Sequence, residues 1–217
     1  MFKIKTNFLI SLVSIIFQFL IINQLCAATP KLKYADFESG FFEPSYTWGD
    51  SANGASIIVY IFEGGFKSDY CLKADYTFGG WGCGFQLWSD AGANKSIDCS
   101  GAKAIEFWIK LPKGATFFVG FNDGDGEQWC SDGLEQLKSG WQHYVVPLED
   151  LSITPHAGNQ NGNKEMDLQA VKGMQFTISK SPQKKAKCFL MRLVLLELKE
   201  KSRELKKFLL PLISTKQ

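Results

Sequence analysis

Aromatic side chains are the feature of this sequence that most directly predicts a binding chemistry. The chain has 18 Phe, 6 Trp and 6 Tyr among its 217 residues, more rings than a core of this size usually buries. Some of them are therefore expected to line a cleft or an exposed face, where a ring packs against the apolar surface of a ligand. The candidate rings are Trp81, Trp129, Trp48 and Tyr46.

Carboxylates are the groups in this sequence that would make an enzyme. Glycoside hydrolysis needs a pair of them on opposite sides of the scissile bond, and Asp125 with Glu127, or Glu106, are the available candidates. Asp125 and Glu127 lie on one short segment, which does not place them across a substrate. The 2 histidines, His143 and His156, fit no Ser-His-Asp order. The sequence therefore predicts that the protein is not an enzyme, with a glycoside hydrolase as the weaker alternative.

The chain divides into three segments of different composition. Residues 1–28 have a basic start, an apolar run and a small-residue end, which is the pattern of a signal peptide for secretion. Residues 197–217 combine helix-forming residues with an excess of basic over acidic side chains, which predicts an amphipathic basic tail that is either a docking segment or a solvated terminus. The body, 29–196, has more acidic than basic residues and no basic stripe, which argues against a nucleic-acid partner. We therefore expect one exported domain that is extracellular, periplasmic or bound at the cell surface.

Cysteines are the remaining reactive side chains. Five follow the predicted signal peptide: Cys71, Cys83, Cys99, Cys130 and Cys188. Export permits disulfides, and an odd number leaves at least one thiol free, so disulfides are expected but their pairing stays open. The chain has no Cys-x-x-C motif, so we expect no zinc cage.

Alternation of apolar and polar residues with a period of two runs through the body of the chain. It is clearest over 105–110, 117–122 and 174–178, each of which has one apolar face. Further strands are expected at 34–38, 55–62, 69–76, 82–88, 142–148 and 188–196. Glycine- and asparagine-rich turns separate these strands, and the helical crossovers of a parallel sheet are missing. The predicted fold class is all-β, an antiparallel β-sandwich.

Some aromatic residues on these strands are expected to be structural. Trp141, Tyr144 and Val146 have the spacing of core positions, so we expect the Trp141 indole inside the sandwich. Trp108 lies on the polar side of its strand. Its indole is therefore expected either to line a solvent-filled cleft or to be covered by a loop. His143 is expected at a rim rather than in catalysis.

Six sequence elements over residues 34–196 occur in the order found in one known family. They are Asp36-Phe37-Glu38, Gly80-Trp81-Gly82, the strand from Ile105 to Lys110, the run from Gly124 to Trp129, the run from Trp141 to Leu151, and Met166-Asp167-Leu168 with Val171 to Phe176. This order resembles family 11 carbohydrate-binding modules and the related domains named for complex I intermediate-associated protein 30. The resemblance implies a galactose-binding-like jelly roll whose concave sheet holds a single glucan chain, without catalysis.

The resemblance also implies which side chains would meet the sugar. A pyranose ring packs its C–H face on an indole or phenol, while its hydroxyls need carboxylates or amides around it. The polar candidates are Asp125, Gln128, Gln175 and Thr177. A sugar-binding aspartate of the family falls at Asp125 and a family histidine falls at Gln175.

Three replacements within the resembling region change the predicted ligand face. The family tyrosine before the tryptophan is Gly80 here, an aspartate before the penultimate strand is Lys172, and a tyrosine on that strand is Ile178. The predicted ligand is therefore a polysaccharide or oligosaccharide, with β-glucan as one candidate. A protein-binding or structural module using the same sheet is the alternative.

Calcium is the one cofactor that the resemblance implies. It would bind where the first strand meets the last, with Asp36 and Glu38 as ligands. The matching last-strand aspartate falls near Arg192, so an ion pair between Glu38 and Arg192 is the alternative to the metal. No other cofactor is expected, and the oligomeric state stays open.

Overall fold

The computed structural model describes residues 31–40, 44–66, 68–89, 92 and 95–197. The predicted signal peptide lies outside the described residues, as does all of the predicted tail after its first residue. Within the described part, no helix has the length and apolar character needed to cross a membrane.

Antiparallel strands are the main elements of the described part of the chain. They are β1 (Lys31–Ala35), β2 (Pro44–Gly49), β3 (Ser56–Gly65), β4 (Ser68–Thr77), β5 (Cys83–Leu87), β6 (Ala102–Lys110), β7 (Thr116–Asn122), β8 (Glu127–Cys130), β9 (Leu134–Glu135), β10 (Gln142–Pro147), β11 (Ser152–Gly158), β12 (Lys172–Lys180) and β13 (Lys185–Glu197). Single 3-10 turns at Ser51–Asn53, Leu148–Asp150 and Leu168–Ala170 are the helical segments described. The predicted all-β class is confirmed.

Two sheets divide these strands. Sheet A has the order β10-β6-β13-β4-β3, and β1 pairs with the second half of β13. Sheet B has the order β11-β8-β7-β12-β5-β2, and β9 pairs with the start of β7. The long alternating strands were predicted from the sequence, whereas β2, β8, β9 and β11 were not. These four are short or lie at a sheet edge, and few of their residues are buried, which leaves a weak pattern.

The core lies between the two sheets and follows the predicted alternation. Phe107 of sheet A contacts Phe117 and Phe176 of sheet B, with ring centroids 6.1 and 5.3 Å apart in edge-to-face geometry. Phe85 stacks on Phe176 within sheet B at 5.5 Å. Because every second residue of these strands enters this layer, the residues between them form an outer face on each sheet.

Cysteines depart from the expectation of disulfides. All five cysteines after the predicted signal peptide carry free thiols. Cys83 and Cys188 belong to the core. Cys71 of β4 is the register partner of Phe62 of β3, on the outer side of sheet A. Cys130 lies on the outer side of sheet B, opposite Gly120. The thiols are thus distributed over different faces of the sandwich, and alternation within each strand sets that distribution.

Candidate functional site

The outer face of sheet B brings together most of the predicted ligand-binding residues. Strand register arranges one row of outward residues across four strands: Trp48, Gly84, Thr177 and Phe118. A second row crosses five strands: Tyr46, Gln86, Gln175, Gly120 and Cys130. Neighbouring strands lie about 4.8 Å apart, so the rows are roughly 14 and 19 Å long.

Trp48 and Tyr46 lie at the β2 edge of this face, as adjacent aromatic rings. Their centroids are 5.3 Å apart and their planes are tilted by 46°. Tyr46 is 52% exposed. The Trp48 indole lies across Gly84, because a Cβ added there would come within 2.5 Å of the ring atom Cζ2. Desolvation raises the pKa of the Tyr46 phenol. Its hydroxyl is a hydrogen-bond donor at neutral pH.

A ladder of amides crosses the middle of the same face. Nε2 of Gln175 donates to Oε1 of Gln86 at 3.2 Å and to Oδ1 of Asn122 at 2.8 Å. Gln86 is only 2% exposed and Gln175 only 4% exposed. Gln86 lies flat on β12, since a Cβ at Gly173 would be 2.3 Å from its Nε2. The direct sugar contact predicted for Gln175 is therefore corrected: its side chain is buried beneath the face and orients Asn122.

Asp125 and Gln128 lie at the β7–β8 end of the face. Gln128 pairs with Asn122 across the two strands. The Asp125 carboxylate accepts a hydrogen bond from the backbone N–H of Asn163 at 3.1 Å, and that bond lowers its pKa. Asn159 donates its side-chain amide to the Asp125 carbonyl at 2.9 Å. These bonds fasten the loop after β11 to the hairpin, and Asp125 stays exposed beside it.

Trp129 is placed on the opposite side of the sheet from Gln128. It pairs with buried Phe121, packs against the core and is only partly accessible. Its indole N–H donates to Oδ2 of Asp123 at 2.7 Å, and burial raises the pKa of this carboxyl group. Adjacent residues of a strand point to opposite faces, so Gln128 and Trp129 do not reach the same ligand. The ring-stacking role predicted for Trp129 is thus replaced by a structural one.

Trp81 lies in the turn that leads into β5. Its indole side chain is 57% exposed, and its backbone N–H donates to Oδ2 of Asp50 at 3.2 Å. Gly80 has a φ of 54°, and a Cβ added there would be 1.9 Å from the same carboxylate oxygen. The replacement of the family tyrosine by Gly80 therefore has a steric reason in this turn. Asp50 also donates its backbone N–H to the Gly82 carbonyl, which joins the turn to the end of β2.

Two residues of this face were missed in the sequence. Phe118 and Asn122 are partly accessible on the outer side of β7. Phe118 is an aromatic residue on the polar phase of an alternating strand, which is a signal that the sequence does contain. Asn122 had no such signal, because its role depends on the hydrogen bond from Gln175 on another strand.

Carboxylates also cluster in the β7–β8 hairpin. Oxygen atoms of Asp123, Asp125 and Glu127 lie within 4.8 Å of one another. Both Glu127 oxygens accept the backbone N–H of Lys164 at 3.0 Å, and Asp123 accepts that of Glu127 at 2.9 Å. Backbone donors thus already stabilise part of this negative charge.

Asp36 and Glu38, the predicted calcium ligands, lie just after β1. Asp36 accepts the backbone N–H of Glu38 at 3.1 Å, and Glu38 accepts a hydrogen bond from the Ser68 hydroxyl. Carboxylate oxygens of this kind suit calcium in type. Calcium binding by these two residues stays a prediction.

The family of the chain follows from a sequence comparison. A sequence model described as "Carbohydrate binding domain (family 11)" matches residues 26–190. The chain belongs to family 11 of the carbohydrate-binding modules. This family consists of non-catalytic carbohydrate-binding domains, in agreement with the prediction that the protein is not an enzyme. No curated protein matches the chain.

Solved structures similar to this family 11 module share its fold. The family 11 module of the cellulosomal cellulase Lic26A-Cel5E of Clostridium thermocellum is 19% identical, with a TM-score of 0.58 over 79% of this chain and 96% of that chain. A family 11 module from Clostridium thermocellum in complex with a β-1,3-1,4-mixed-linked tetrasaccharide is 19% identical, with a TM-score of 0.57 over 78% and 97% of the two chains. A family 30 carbohydrate-binding module is 15% identical, with a TM-score of 0.54 over 77% and 99%.

Proposed function

We propose that this module binds a neutral polysaccharide chain on the outer face of sheet B, and that mixed-linkage β-1,3-1,4-glucan is the first polymer to test. The observation that carries the proposal is the pair of aromatic rings, Trp48 and Tyr46, beside polar side chains in rows across the sheet. The similar Clostridium thermocellum module in complex with a mixed-linked tetrasaccharide supports the choice of polymer.

The chemistry of the face suits a sugar chain. The C–H face of a pyranose packs on the Trp48 indole, and its hydroxyls exchange hydrogen bonds with Thr177, Gln128 and Asn122. Oδ1 of Asn122 already accepts a hydrogen bond from Gln175. The side-chain N–H groups of Asn122 are therefore left to donate to the ligand. We expect dissociation constants between micromolar and millimolar, roughly −8 to −4 kcal/mol. The reason is that stacking on a few rings must offset the entropy lost when a flexible sugar chain is ordered.

We further propose that the module is secreted or held at the cell surface. Residues 1–28 support this proposal through their basic start, apolar run and small-residue end. Expression of the full chain in a secreting host, followed by N-terminal sequencing of the exported protein, tests it. A start at residue 29 is expected, and retention of the uncleaved chain inside the cell would contradict the proposal.

Affinity electrophoresis tests the sugar-binding face directly. The protein is expected to be retarded in gels that contain mixed-linkage glucan. Trp48→Ala is expected to weaken binding about tenfold, because loss of one stacked ring costs about 1.4 kcal/mol. Tyr46→Ala is expected to act in the same direction with a smaller effect, since this ring is the more exposed of the two.

An aromatic variant on the other sheet provides the control. Phe62 lies on the outer side of sheet A and is 39% exposed, so Phe62→Ala removes an accessible ring without touching sheet B. Retardation equal to that of the unmodified protein is expected for this variant. Normal mobility of the unmodified protein in mixed-linkage glucan, xylan and mannan gels alike would overturn the proposed function.

A further inference from the structure

A second surface lies on the other sheet, where β6 ends and β12 turns into β13. It is an open groove of about 850 Å³ lined by four lysines, Lys110, Lys113, Lys185 and Lys187, and by Phe189. All four lysines are exposed. No carboxylate is among the described residues that line the groove. The body of the chain carries more acidic than basic residues, so this concentration of lysines is a local feature.

Strand alternation explains how the lysines come together. Lys185, Lys187 and Phe189 are alternate residues of β13 and therefore share the outer face of sheet A. Lys110 is the register partner of Phe189 on the neighbouring strand, and its Nζ lies 5.3 Å from the centre of the Phe189 ring. Lys113 follows three residues later, in the turn after β6.

Aromatic rings extend from the groove across the outer face of sheet A. Centroid distances are 5.8 Å from Phe62 to Phe189, 6.2 Å from Phe189 to Trp141, 6.2 Å from Trp141 to Phe66, and 5.0 Å from Phe66 to Trp108. The core position predicted for Trp141 is thus corrected: its indole lies on this outer face. The groove therefore combines cations with rings on which an apolar surface packs.

The carboxylate closest in register to the groove already has partners. Asp75 lies opposite Lys187 on β4. It accepts a hydrogen bond from the Tyr60 hydroxyl and pairs with Lys73 at 3.8 Å. Both of these contacts are made by Oδ2 of Asp75, on the side of β3 and Lys73. The four lysines together give the groove a local excess of positive charge.

We propose that this groove binds an acidic polysaccharide, one whose sugars carry uronate carboxylates or sulfate esters. The lysines pair with the acidic groups, and the sugar ring packs on Phe189 and Trp141. The basic tail 197–217 does not complement this charge, since it carries the same sign. Duplex nucleic acid fits less well than a polysaccharide, because the bases of a duplex are stacked inside it and leave no free ring face to pack on Phe189.

Affinity electrophoresis with charged polymers tests the proposal. Polygalacturonate and dextran sulfate are used as uronate and sulfate probes, and retardation of the full chain is expected with at least one of them. The double variant Lys185→Gln/Lys187→Gln is expected to weaken this binding about tenfold, and Phe189→Ala to weaken it several-fold. Raising NaCl from about 0.05 to about 0.5 M is expected to weaken it as well, because exposed charges are screened.

Matched variants separate this groove from the face on sheet B and from general charge. Lys95→Gln/Lys103→Gln removes two exposed lysines elsewhere and is expected to leave binding of the acidic polymer unchanged. Trp48→Ala is expected to weaken binding of neutral glucan only. The groove variants are expected to weaken binding of the acidic polymer only. Equal losses in the two lysine pairs, mobility unchanged by both acidic polymers, or tighter binding of duplex DNA than of either polymer would each overturn the proposal.

Discussion

Asp50 fixes the turn that presents Trp81. Its carboxylate accepts the Asn53 side-chain amide at 2.8 Å, the Asn53 backbone N–H at 3.3 Å and the Trp81 backbone N–H at 3.2 Å. These bonds favour the charged form, and the Asn53 side-chain bond is the largest cause of a lowered Asp50 pKa. A group with a lowered folded-state pKa stabilises the fold above its unfolded pKa and loses that effect as the pH falls.

Asp50→Ala is therefore expected to lower the melting temperature at neutral pH. The difference from the unmodified protein is expected to shrink as the pH falls from about 4, where the unfolded state begins to bind the proton, through the lowered pKa of the folded state. Thermal unfolding followed by circular dichroism at several pH values measures this. Asp132→Ala, at another exposed aspartate, is the control. A difference that persists unchanged at low pH would show that the Asp50 charge is not the cause.

Gly84 shows how one strand of sheet B sets the position of a ring on its neighbour. Because Gly84 of β5 has no Cβ, the Trp48 indole of β2 can lie flat on the sheet at this position. The same relation holds between Gly173 of β12 and Gln86 of β5. Glycines inside strands weaken the strand itself, so their value here is the close approach that they allow.

Gly84→Ala is expected to displace Trp48 and to weaken glucan binding about tenfold. The added Cβ would come within 2.5 Å of both the indole and the Phe176 carbonyl oxygen, so a loss of stability of about 1–3 kcal/mol is expected as well. Affinity electrophoresis and urea unfolding measure the two effects. Gly133→Ala is the control, because its added Cβ meets a Thr116 methyl group rather than backbone. Wild-type binding by Gly84→Ala would contradict the proposed role of Trp48.

The sandwich as a whole encloses most of the thiols. Burial raises the pKa of Cys83 to about 11 and of Cys99 to about 12, and it raises that of Cys188 as well. Cys130 is the one partly accessible thiol of the five, and burial raises its pKa to about 11. Thiolate is the reactive form of cysteine. These side chains are therefore protected from reagents both because they are buried and because they stay protonated at neutral pH.

A chain without residues 1–28 is expected to react slowly with a thiol reagent at neutral pH. All five thiols are expected to react once the chain is unfolded in denaturant without reductant, because no disulfide joins them. The slow phase is expected to follow global unfolding, since the inner cysteines are exposed only then. Fewer than five reactive thiols in the denatured protein would reveal a disulfide and contradict the structure.

The sequence by itself determined the all-β class, the long strands and the side chains that share a face within one strand, because a period of two is a local property of the backbone. It also indicated a ligand face rich in rings, and it placed Trp48, Tyr46 and Thr177 among the candidates. Tertiary structure decided the rest. Pairing of β8 with β7 sends Trp129 to the core side, and pairing of β12 with β5 and β7 buries Gln175 beneath the face.

Lysines from distant parts of the chain also meet only through tertiary structure. Lys110 and Lys185 are separated by six strands in sequence, β7 to β12, yet they line one groove on sheet A. Alternation within a strand assigns side chains to opposite faces, but it does not say which face is turned to the core or which strand lies alongside. Those choices depend on packing between residues far apart in the chain, and they determine where a ligand meets this protein.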